Sequence, residues 1–291
     1  MSGFRGSKPE DASRYKKAGH SNEDDFGLVF GGTKDGLSAQ GKTDWVDPEG
    51  NKYSIKSGLD KKTRIWAKHW QIFLYGLPRL KSDKDFVKSP EGAMLRKMLE
   101  SFPDDSTSYF ADKLIAKALL NDIPKTLKGE TRLDEFRRRL SQRSNHYFDS
   151  KNRLQIVTEE LALILSEKSA RVSFFSKAFF NNDEVQFLAI SEGDKFVVYS
   201  RNDVVEILAE HLVPSVSSAG SRPDDLNVKG QKVVFKLDGK NIAELEVRNE
   251  ESHYREVRFN GKVQKIAYLL RSKTALKEQV SGKEIRQILP V

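Results

Sequence analysis

The alternation of polar and apolar residues over positions 42–57 predicts a β-hairpin. Lys42–Val46 and Lys52–Ser57 are the two predicted strands. The stretch Asp47-Pro48-Glu49-Gly50-Asn51 between them has the composition of a turn, because proline fixes φ and glycine accepts a positive φ. The candidate chemistry of the chain is arranged around this hairpin.

Successive side chains of a strand point to opposite faces. We therefore expect Tyr53 and Ile55 on one face of the second strand, and Ser54 and Lys56 on the other. Asp44 lies near the middle of the first strand. The pattern thus predicts a carboxylate and an ammonium close together on adjacent strands.

Three other stretches are predicted to be helical. Apolar residues recur three and four positions apart over most of residues 86–170, which predicts a mainly helical region. Capping residues and early acids at Ser21-Asn22-Glu23-Asp24 predict a helix before the hairpin. A third helical pattern covers residues 61–76, where Gly76-Leu77-Pro78 provides the stop.

Short strands are predicted from about Val172 onwards. One hairpin has its turn at Glu192-Gly193-Asp194, and a second has its turn at Asp238-Gly239. A helix over Asn202–Leu212 lies between them. The pattern therefore changes from mainly helical to mainly stranded near residue 171.

The chain has 291 residues, of which 37% are apolar, enough for the core of one large domain or two smaller ones. We expect residues 1–171 to form a core with a helical insertion, and residues 172–291 to form a strand-rich part. The fold class is mixed α/β, of the α+β type.

The net charge and the lack of cysteine limit the kinds of partner and of chemistry that we expect. A net charge of +8 favours an anionic partner such as DNA or RNA. The absence of cysteine excludes disulfides, thiol catalysis and cysteine-based zinc sites. No apolar run approaches a membrane span and the N-terminal segment lacks an apolar signal region, so we expect a cytoplasmic protein with no membrane partner.

A carboxylate beside an ammonium has a chemical use. Mg²⁺ takes hard oxygen ligands, commonly one or two protein carboxylates together with phosphate oxygens and water. Asp44 can supply one ligand, and Lys56 can orient a metal-bound water or stabilise charge on a phosphate. The alternative is a surface hairpin with ordinary solvated charges.

The hairpin resembles the catalytic hairpin of the PD-(D/E)xK nucleases, in particular type II restriction endonucleases, in which an Asp ends one strand and (D/E)-x-K lies on the next. Asp44 matches the first acid, and Ser54-Ile55-Lys56 matches the second element with serine in the acidic position. The surrounding words GKTD and YSIKSG are similar to those of restriction enzymes with an S-x-K variant. The resemblance covers about residues 15–76, and the serine leaves the metal short of one ligand.

The resemblance implies a mixed sheet flanked by helices and a Mg²⁺ site. The metal would be held by Asp44, by Glu23 from the preceding helix and by the main-chain carbonyl of Ile55. Asp24 and Asp25 are near neighbours of Glu23, and an equal alternative is that these acids only interact with the helix dipole. The implied catalytic residues are Asp44, Lys56, Glu23 and Ser54.

The implied activity is that of a Mg²⁺-dependent, sequence-specific endonuclease that hydrolyses phosphodiester bonds of double-stranded DNA. Two-fold protein symmetry mirrors a palindromic site, so the resemblance also implies a homodimer and a companion DNA methyltransferase. The alternatives are a nuclease of the same superfamily with a repair or RNA-processing role, and a non-catalytic nucleic-acid-binding protein. Ser54 keeps the last alternative open because it supplies no charge.

Two groups of side chains are candidates for DNA contact. The first group surrounds the hairpin and consists of Lys42, Ser57, Lys61, Lys62 and Gln71. The second group has side chains of the kinds that read base edges and consists of Arg248, Asn249, His253, Tyr254, Arg255 and Arg258. Gln71 and Tyr75 also form a Q-x-x-x-Y pair, expected one helical turn apart, similar to a pair found in RecB-like members of the superfamily.

Two further groups of residues are weaker candidates for function. Arg137–Arg139, Arg143 and Lys151 make the helical region locally basic, either as a solvated face or as a contact to the DNA backbone. Glu244-Leu245-Glu246 follows Asp238 and resembles a Glu-x-Glu variant of the nuclease motif. We rank that site behind the first hairpin, because Asp238 falls in a turn.

Overall fold

The computed structural model describes residues 22–34, 42–76, 83–124, 126–140, 145–182, 184–193, 195–218 and 230–274. The chain forms two compact units, and each is assembled from separate stretches of sequence. The first unit comprises residues 1–70, 172–211 and 261–291, and the second comprises residues 71–171 and 212–260. The expected boundary near residue 171 falls at one of the places where the chain passes between the units. The division into 1–171 and 172–291 stays a prediction.

The first unit is built on a mixed five-stranded sheet flanked by helices. Its elements are α1 over residues 22–30, β1 (Thr33–Lys34), β2 (Trp45–Val46), β3 (Lys52–Leu59), β5 (Phe187–Glu192), β6 (Lys195–Ser200), α8 (Arg201–His211) and α9 (Val263–Lys273). The strand order is β1-β2-β3-β5-β6. All neighbours are antiparallel except β3 and β5, which run parallel.

The second unit contains the helical region and a second five-stranded sheet. The elements that lie wholly or mostly in it are β4 (His69–Gly76), α2 (Lys84–Lys88), α3 (Pro90–Glu100), α4 (Ser106–Asn121), α5 (Gly129–Leu140), α6 (His146–Ile164), β7 (Val213–Val216), β8 (Val233–Leu237), β9 (Lys240–Arg248) and β10 (Glu256–Lys262). The strand order of this sheet is β4-β10-β9-β8-β7. Helix α7 (Lys168–Phe180) connects the helical region to the first unit.

The predicted helices over residues 86–170 are confirmed, and their ends follow capping chemistry. Ser89 precedes Pro90 at the start of α3, and its hydroxyl accepts a hydrogen bond from Gly92 N at 3.1 Å. Asn145 caps α6 in the same way through Phe148 N at 3.0 Å. Side-chain oxygens at these positions satisfy amides that have no partner inside the helix.

An aromatic core holds α1 against the first sheet. The buried residues of this cluster are Phe26, Phe30, Trp45, Tyr53, Ile55, Ala189 and Phe196. The rings of Phe26 and Phe30 stack with centroids 3.9 Å apart, and Phe26 also lies 5.1 Å from Tyr53. Tyr53 and Ile55 therefore face the core together, as the alternation predicts. Ser54 on the opposite face is also fully buried.

The helix predicted over residues 61–76 is wrong. Residues 61–63 form a turn, and His69–Gly76 form β4, which pairs with β10. Trp70, Ile72 and Leu74 are buried at every second position, which suits a strand with one face against a core. Bulky aromatic residues fit helical and stranded spacing equally in so short a segment, and pairing with β10 decided the outcome.

The strand pattern begins later than expected, because α7 runs from Lys168 to Phe180, past Val172. The two hairpins beyond it are confirmed as β5–β6 and β8–β9. Asp238 and Gly239 both have positive φ, 49° and 73°, as a two-residue hairpin turn requires. The helix predicted over Asn202–Leu212 is confirmed as α8. Of the helices that the structure describes, none combines the length and the apolar composition needed to cross a membrane.

Candidate active site

The predicted hairpin forms, with a first strand shorter than expected. Trp45 pairs with Tyr53 and Val46 with Lys52, and Asp44 N donates to Tyr53 O at 2.8 Å. The pairing does not continue as β-strand to Lys42. The amides of the preceding residues are instead bonded to the Glu184 carboxylate.

The turn of the hairpin is organised by the buried carboxylate of Asp47. Its Oδ1 accepts from Glu49 N at 3.0 Å and Asn51 N at 2.8 Å. Its Oδ2 accepts from Asn51 Nδ2 and from the hydroxyl of Tyr53, both at 2.9 Å. Burial of the Tyr53 hydroxyl raises its pKa above the ordinary value, and the hydrogen bond to Asp47 adds to the increase. The turn is therefore a fixed support for the strand that carries Lys56.

One oxygen of Asp44 collects three hydrogen bonds from β3. Oδ2 accepts from Ile55 N at 2.7 Å, from Lys56 Nζ at 3.1 Å and from Ser54 Oγ at 3.2 Å. The Lys56 ammonium also donates to the main-chain carbonyl of Ile55 at 3.2 Å. The carboxylate and ammonium predicted to meet on adjacent strands therefore lie in direct contact.

Ser54, which the resemblance would align with the acid of the nuclease motif, is fully buried. Its hydroxyl donates to Asp44 Oδ2. Ser54 therefore orients the carboxylate of its neighbour, since a serine hydroxyl at this position adds a hydrogen bond and no charge.

The strand beyond Lys56 is fixed on both sides. Gly58 N donates to Ser191 Oγ of β5 at 3.1 Å, and a Cβ at Gly58 would collide with the Ser191 carbonyl oxygen. The indole Nε1 of Trp70 donates to Ser57 O at 2.7 Å. Asn22 Nδ2 of α1 donates to the hydroxyl of Ser57, a candidate DNA contact, at 2.9 Å. The start of α1 therefore lies beside the strand that carries the site.

Glu23, the candidate for a second metal ligand, is the residue after Asn22 in α1. Its carboxylate lies 3.5 Å from Lys34 Nζ, and the neighbouring Asp24 lies 2.8 Å from the same nitrogen. The hydrogen bond from Asp24 raises the pKa of Lys34 despite some loss of solvation. Within the described ranges, no three His, Cys, Asp or Glu side chains are grouped to hold a metal. The role of Glu23 stays a prediction.

The donor set around Lys56 nevertheless fits Mg²⁺ in part. Asp44 Oδ2 and Ile55 O are both hard oxygens, and both already accept from one cationic group. The side chains of Lys56 and Asp44 are 23% and 27% exposed, so a phosphate from solution can reach them. Mg²⁺ often uses only one or two carboxylates and takes its remaining ligands from water and phosphate.

The turn after β3 presents Lys61 and Lys62, two further candidate DNA contacts, as exposed side chains. The Asp60 carboxylate accepts from Thr63 N at 2.6 Å and from Lys62 N at 3.0 Å. The bonds from Thr63, first among its contacts, lower the pKa of Asp60 below its ordinary value. This turn places two ammonium groups on the segment that directly follows the site.

Within the second unit, two of the candidate base readers hold the loop between α3 and α4. Arg255 is 9% exposed, donates from Nε to Leu99 O at 3.1 Å and is bonded to Asp104. The hydroxyl of Tyr254 donates to Pro103 O at 2.8 Å. These side chains would have to give up internal bonds to contact a base.

The other members of that group are partly exposed. Arg258 Nη2 is bonded to Glu256 at 2.9 Å and lies 3.4 Å from His253 Nδ1, while its Nη1 donates to Gln71 at 3.4 Å. Arg248 is bonded to Glu250. Asn249 Oδ1 is buried and accepts no hydrogen bond among the described residues. The structure thus brings Gln71 into one patch with Arg258 and His253.

The predicted helical pairing of Gln71 with Tyr75 is wrong, because both residues belong to strand β4. Residues four apart on a strand are separated by ~13 Å, since each residue adds ~3.3 Å. They cannot act as neighbours one turn apart.

The alternative Glu-x-Glu site also holds an internal cation. Lys232 Nζ lies 2.9 Å from Glu244 and 2.5 Å from Glu246, and Asn260 Nδ2 donates to Glu246 at 2.7 Å. Burial opposes the charge on Lys232, but the two glutamates outweigh it and raise the pKa of that ammonium. Asp238 lies in the β8–β9 turn.

The arginines of the basic helix α5 form ion pairs with acids of the same helix. Arg137 is bonded to Asp134, and Arg138 and Arg139 are bonded to Glu135. Arg143 lies outside the described residues. These pairs suit the solvated-face interpretation, because each cation already has an acid on the same helix.

Two carboxylates support the hairpin in ways that the strand pattern does not predict. Asp47 has a local signal, because an Asp before Pro-Glu-Gly is typical of a side chain that caps its own turn. Glu184 has no local signal, because its partners Lys42 and Thr43 are more than 140 positions away.

Comparison with known proteins adds no relative: the chain matches no family model, no curated protein and no solved structure.

Proposed function

We propose that the protein is a Mg²⁺-dependent endonuclease that hydrolyses phosphodiester bonds of double-stranded DNA at specific sequences, in the manner of a type II restriction enzyme. One observation carries the proposal. The Lys56 ammonium is held by the Asp44 carboxylate and the Ile55 carbonyl, the two oxygens that the motif assigns to a metal ion. A pair of oxygens that binds one cation is suited to bind another.

Each residue of the site has its own role in the proposed reaction. Asp44 and the Ile55 carbonyl would hold the metal, with Glu23 as the second carboxylate. When bound, the metal would lower the pKa of its water and neutralise charge at the phosphate. Lys56 stabilises the negative charge that builds up on the phosphate during attack. Ser54 keeps Asp44 in place through its hydroxyl.

The surroundings of the site favour a polyanionic substrate. Lys61 and Lys62 follow the catalytic strand in an exposed turn, and the chain as a whole has a net charge of +8. Phosphate contacts of this kind supply affinity without sequence preference. The patch formed by Gln71, His253 and Arg258 is the candidate for base reading. Under this proposal the protein acts in the cytoplasm as a homodimer, beside a DNA methyltransferase that protects the host sites.

Cleavage of supercoiled plasmid tests the proposal. We expect discrete fragments with Mg²⁺ and none with a chelator. Asp44→Asn retains the shape and the hydrogen-bond acceptor but removes the charge, so it should abolish cleavage while DNA binding persists. Asp238→Asn is the matched control, because it changes the acid of the alternative site in a turn where asparagine fits well. Normal cleavage by Asp44→Asn, or its loss in Asp238→Asn, would exclude the assignment.

The pattern of products tests the alternatives. A smear in place of discrete bands favours a nuclease with a repair or RNA-processing role. A catalytically silent nucleic-acid-binding protein is the second candidate, and the uncharged Ser54 in the acidic position is the observation that favours it. DNA binding without cleavage under all metal conditions would support that candidate.

A further inference from the structure

Glu184 reaches the segment immediately before Asp44 from a distant part of the chain. Its Oε1 accepts from the main-chain N–H of Lys42 at 2.8 Å, and from the N–H and hydroxyl of Thr43, both at 3.4 Å. Asn181 Nδ2 donates to the other oxygen, Oε2. The carboxylate is therefore fixed through both of its oxygens.

The position of Glu184 is set by the end of α7. Asn181 and Asn182 adopt the left-handed conformation, with φ of 48° and 63°, which asparagine tolerates better than most residues. Asn182 N donates back to Ser176 O at 3.2 Å and closes the helix. Gln186 N then donates to Lys52 O at 3.0 Å as the chain enters β5. Helix and sheet together hold the loop that carries Glu184.

Glu184 also explains why β2 is short. The amides of Lys42 and Thr43 are bonded to this carboxylate, and strand pairing begins only with Asp44 N on Tyr53 O. Thr43 is 7% exposed, so the segment has little room to move. Asp44 is thus held from both sides, by Tyr53 on β3 and by Glu184 through the two residues before it.

The charge of Glu184 suits this role. Burial opposes ionisation, but the hydrogen bonds from Asn181, Lys42 and Thr43 outweigh it and hold the pKa of the carboxyl below its ordinary value. The group is therefore an acceptor on both oxygens at neutral pH, and charge-assisted bonds of this kind are stronger than neutral ones.

We propose that Glu184 is a positioning residue for the metal ligand Asp44: it touches neither metal nor substrate, and it fixes the backbone that presents the Asp44 carboxylate to Lys56 and the metal. This inference rests on the proposed nuclease function. Removal of a residue that hydrogen-bonds a metal ligand typically changes metal affinity or activity by about 10- to 100-fold, and Glu184 acts one step further out, through the backbone before Asp44.

The test compares Glu184→Ala with Glu184→Gln. Mn²⁺ binding is measured by calorimetry without DNA, and the Mg²⁺ concentration for half-maximal cleavage is measured in single turnovers. Glu184→Ala should weaken Mn²⁺ binding and raise the Mg²⁺ requirement by about 10-fold or more, with unchanged DNA binding in the absence of metal. Glu184→Gln should recover most of the affinity, because its amide oxygen still accepts from Lys42 and Thr43 once the Asn181 amide turns over.

Glu192→Gln is the control for a general loss of stability. Glu192 is a shielded acid of the same unit that pairs with Arg271 and takes part in none of the hydrogen bonds described for Glu184, so this variant should lower thermal stability without changing Mn²⁺ affinity. Unchanged Mn²⁺ affinity in Glu184→Ala, or an equal loss in Glu192→Gln, overturns the positioning role and leaves the nuclease proposal standing. A wild-type protein that neither binds Mn²⁺ nor cleaves DNA overturns both.

Discussion

The Lys56 ammonium lies 3.1 Å from Asp44 Oδ2, on the strand next to the carboxylate it contacts. Because the same nitrogen also reaches the Ile55 carbonyl, the ammonium and a metal ion would compete for the same two oxygens. Under the proposed function, metal binding and this ion pair would therefore oppose each other.

Lys56→Met is expected to separate the two roles of the lysine. The substitution keeps an unbranched side chain and removes the charge, so Mn²⁺ should bind about 2- to 5-fold more tightly, since a partly exposed ion pair is worth up to about 1 kcal/mol. Cleavage should be lost, because the phosphate charge is no longer stabilised. Calorimetry and plasmid cleavage report the two effects. Weaker metal binding in Lys56→Met would show that the lysine supports the metal site.

Glu23→Gln is expected to impair cleavage severely, because the proposed mechanism makes Glu23 the second carboxylate of the metal and Ser54 supplies no charge. Asp24→Asn is the matched control, since both acids pair with Lys34 and only Glu23 is assigned to the metal. Single-turnover cleavage rates compare the two variants. If Asp24→Asn is the inactive variant, Asp24 is the second carboxylate and the assignment moves by one residue.

Tyr53→Phe is expected to destabilise the fold by about 1–2 kcal/mol, because it removes the hydroxyl that donates to the buried Asp47 carboxylate. Tyr199→Phe is the control: Tyr199 is 3% exposed, and its hydroxyl has no hydrogen-bond partner among the described residues. Its removal should be neutral or stabilising. Urea denaturation measures both, and equal effects would mean that the Asp47 bond contributes nothing specific.

Arg258→Ala is expected to lower the ratio of cognate to scrambled DNA binding, because losing a bidentate base contact costs about 1–3 kcal/mol of discrimination. Lys62→Ala should weaken binding to both duplexes alike and reduce the salt slope by about 1. Binding to both duplexes at two salt concentrations distinguishes the roles. An unchanged ratio in Arg258→Ala, and in alanine variants of Arg248, Asn249 and His253, would place sequence readout elsewhere.

The sequence by itself determined the elements whose signals are local. The turn chemistry of residues 47–51 lies between two short alternating segments, and the apolar spacing over residues 86–170 repeats within each helix, so both could be predicted. Asp44 and Lys56 were predicted to meet for the same reason. A hairpin brings together residues that are close in sequence, and its register follows from the turn.

Only the tertiary structure decided the relationships that cross long stretches of chain. Residues 69–76 form a strand because β10 is available to pair with them, although their spacing also suits a helix. Gln71 meets Arg258 across 187 positions, and Glu184 meets Lys42 across 142. Such contacts depend on how strands and helix ends pack, and side-chain periodicity describes only the few residues around each position. The Asp44–Lys56 pair could therefore be predicted from the sequence, and its support by Glu184 could not.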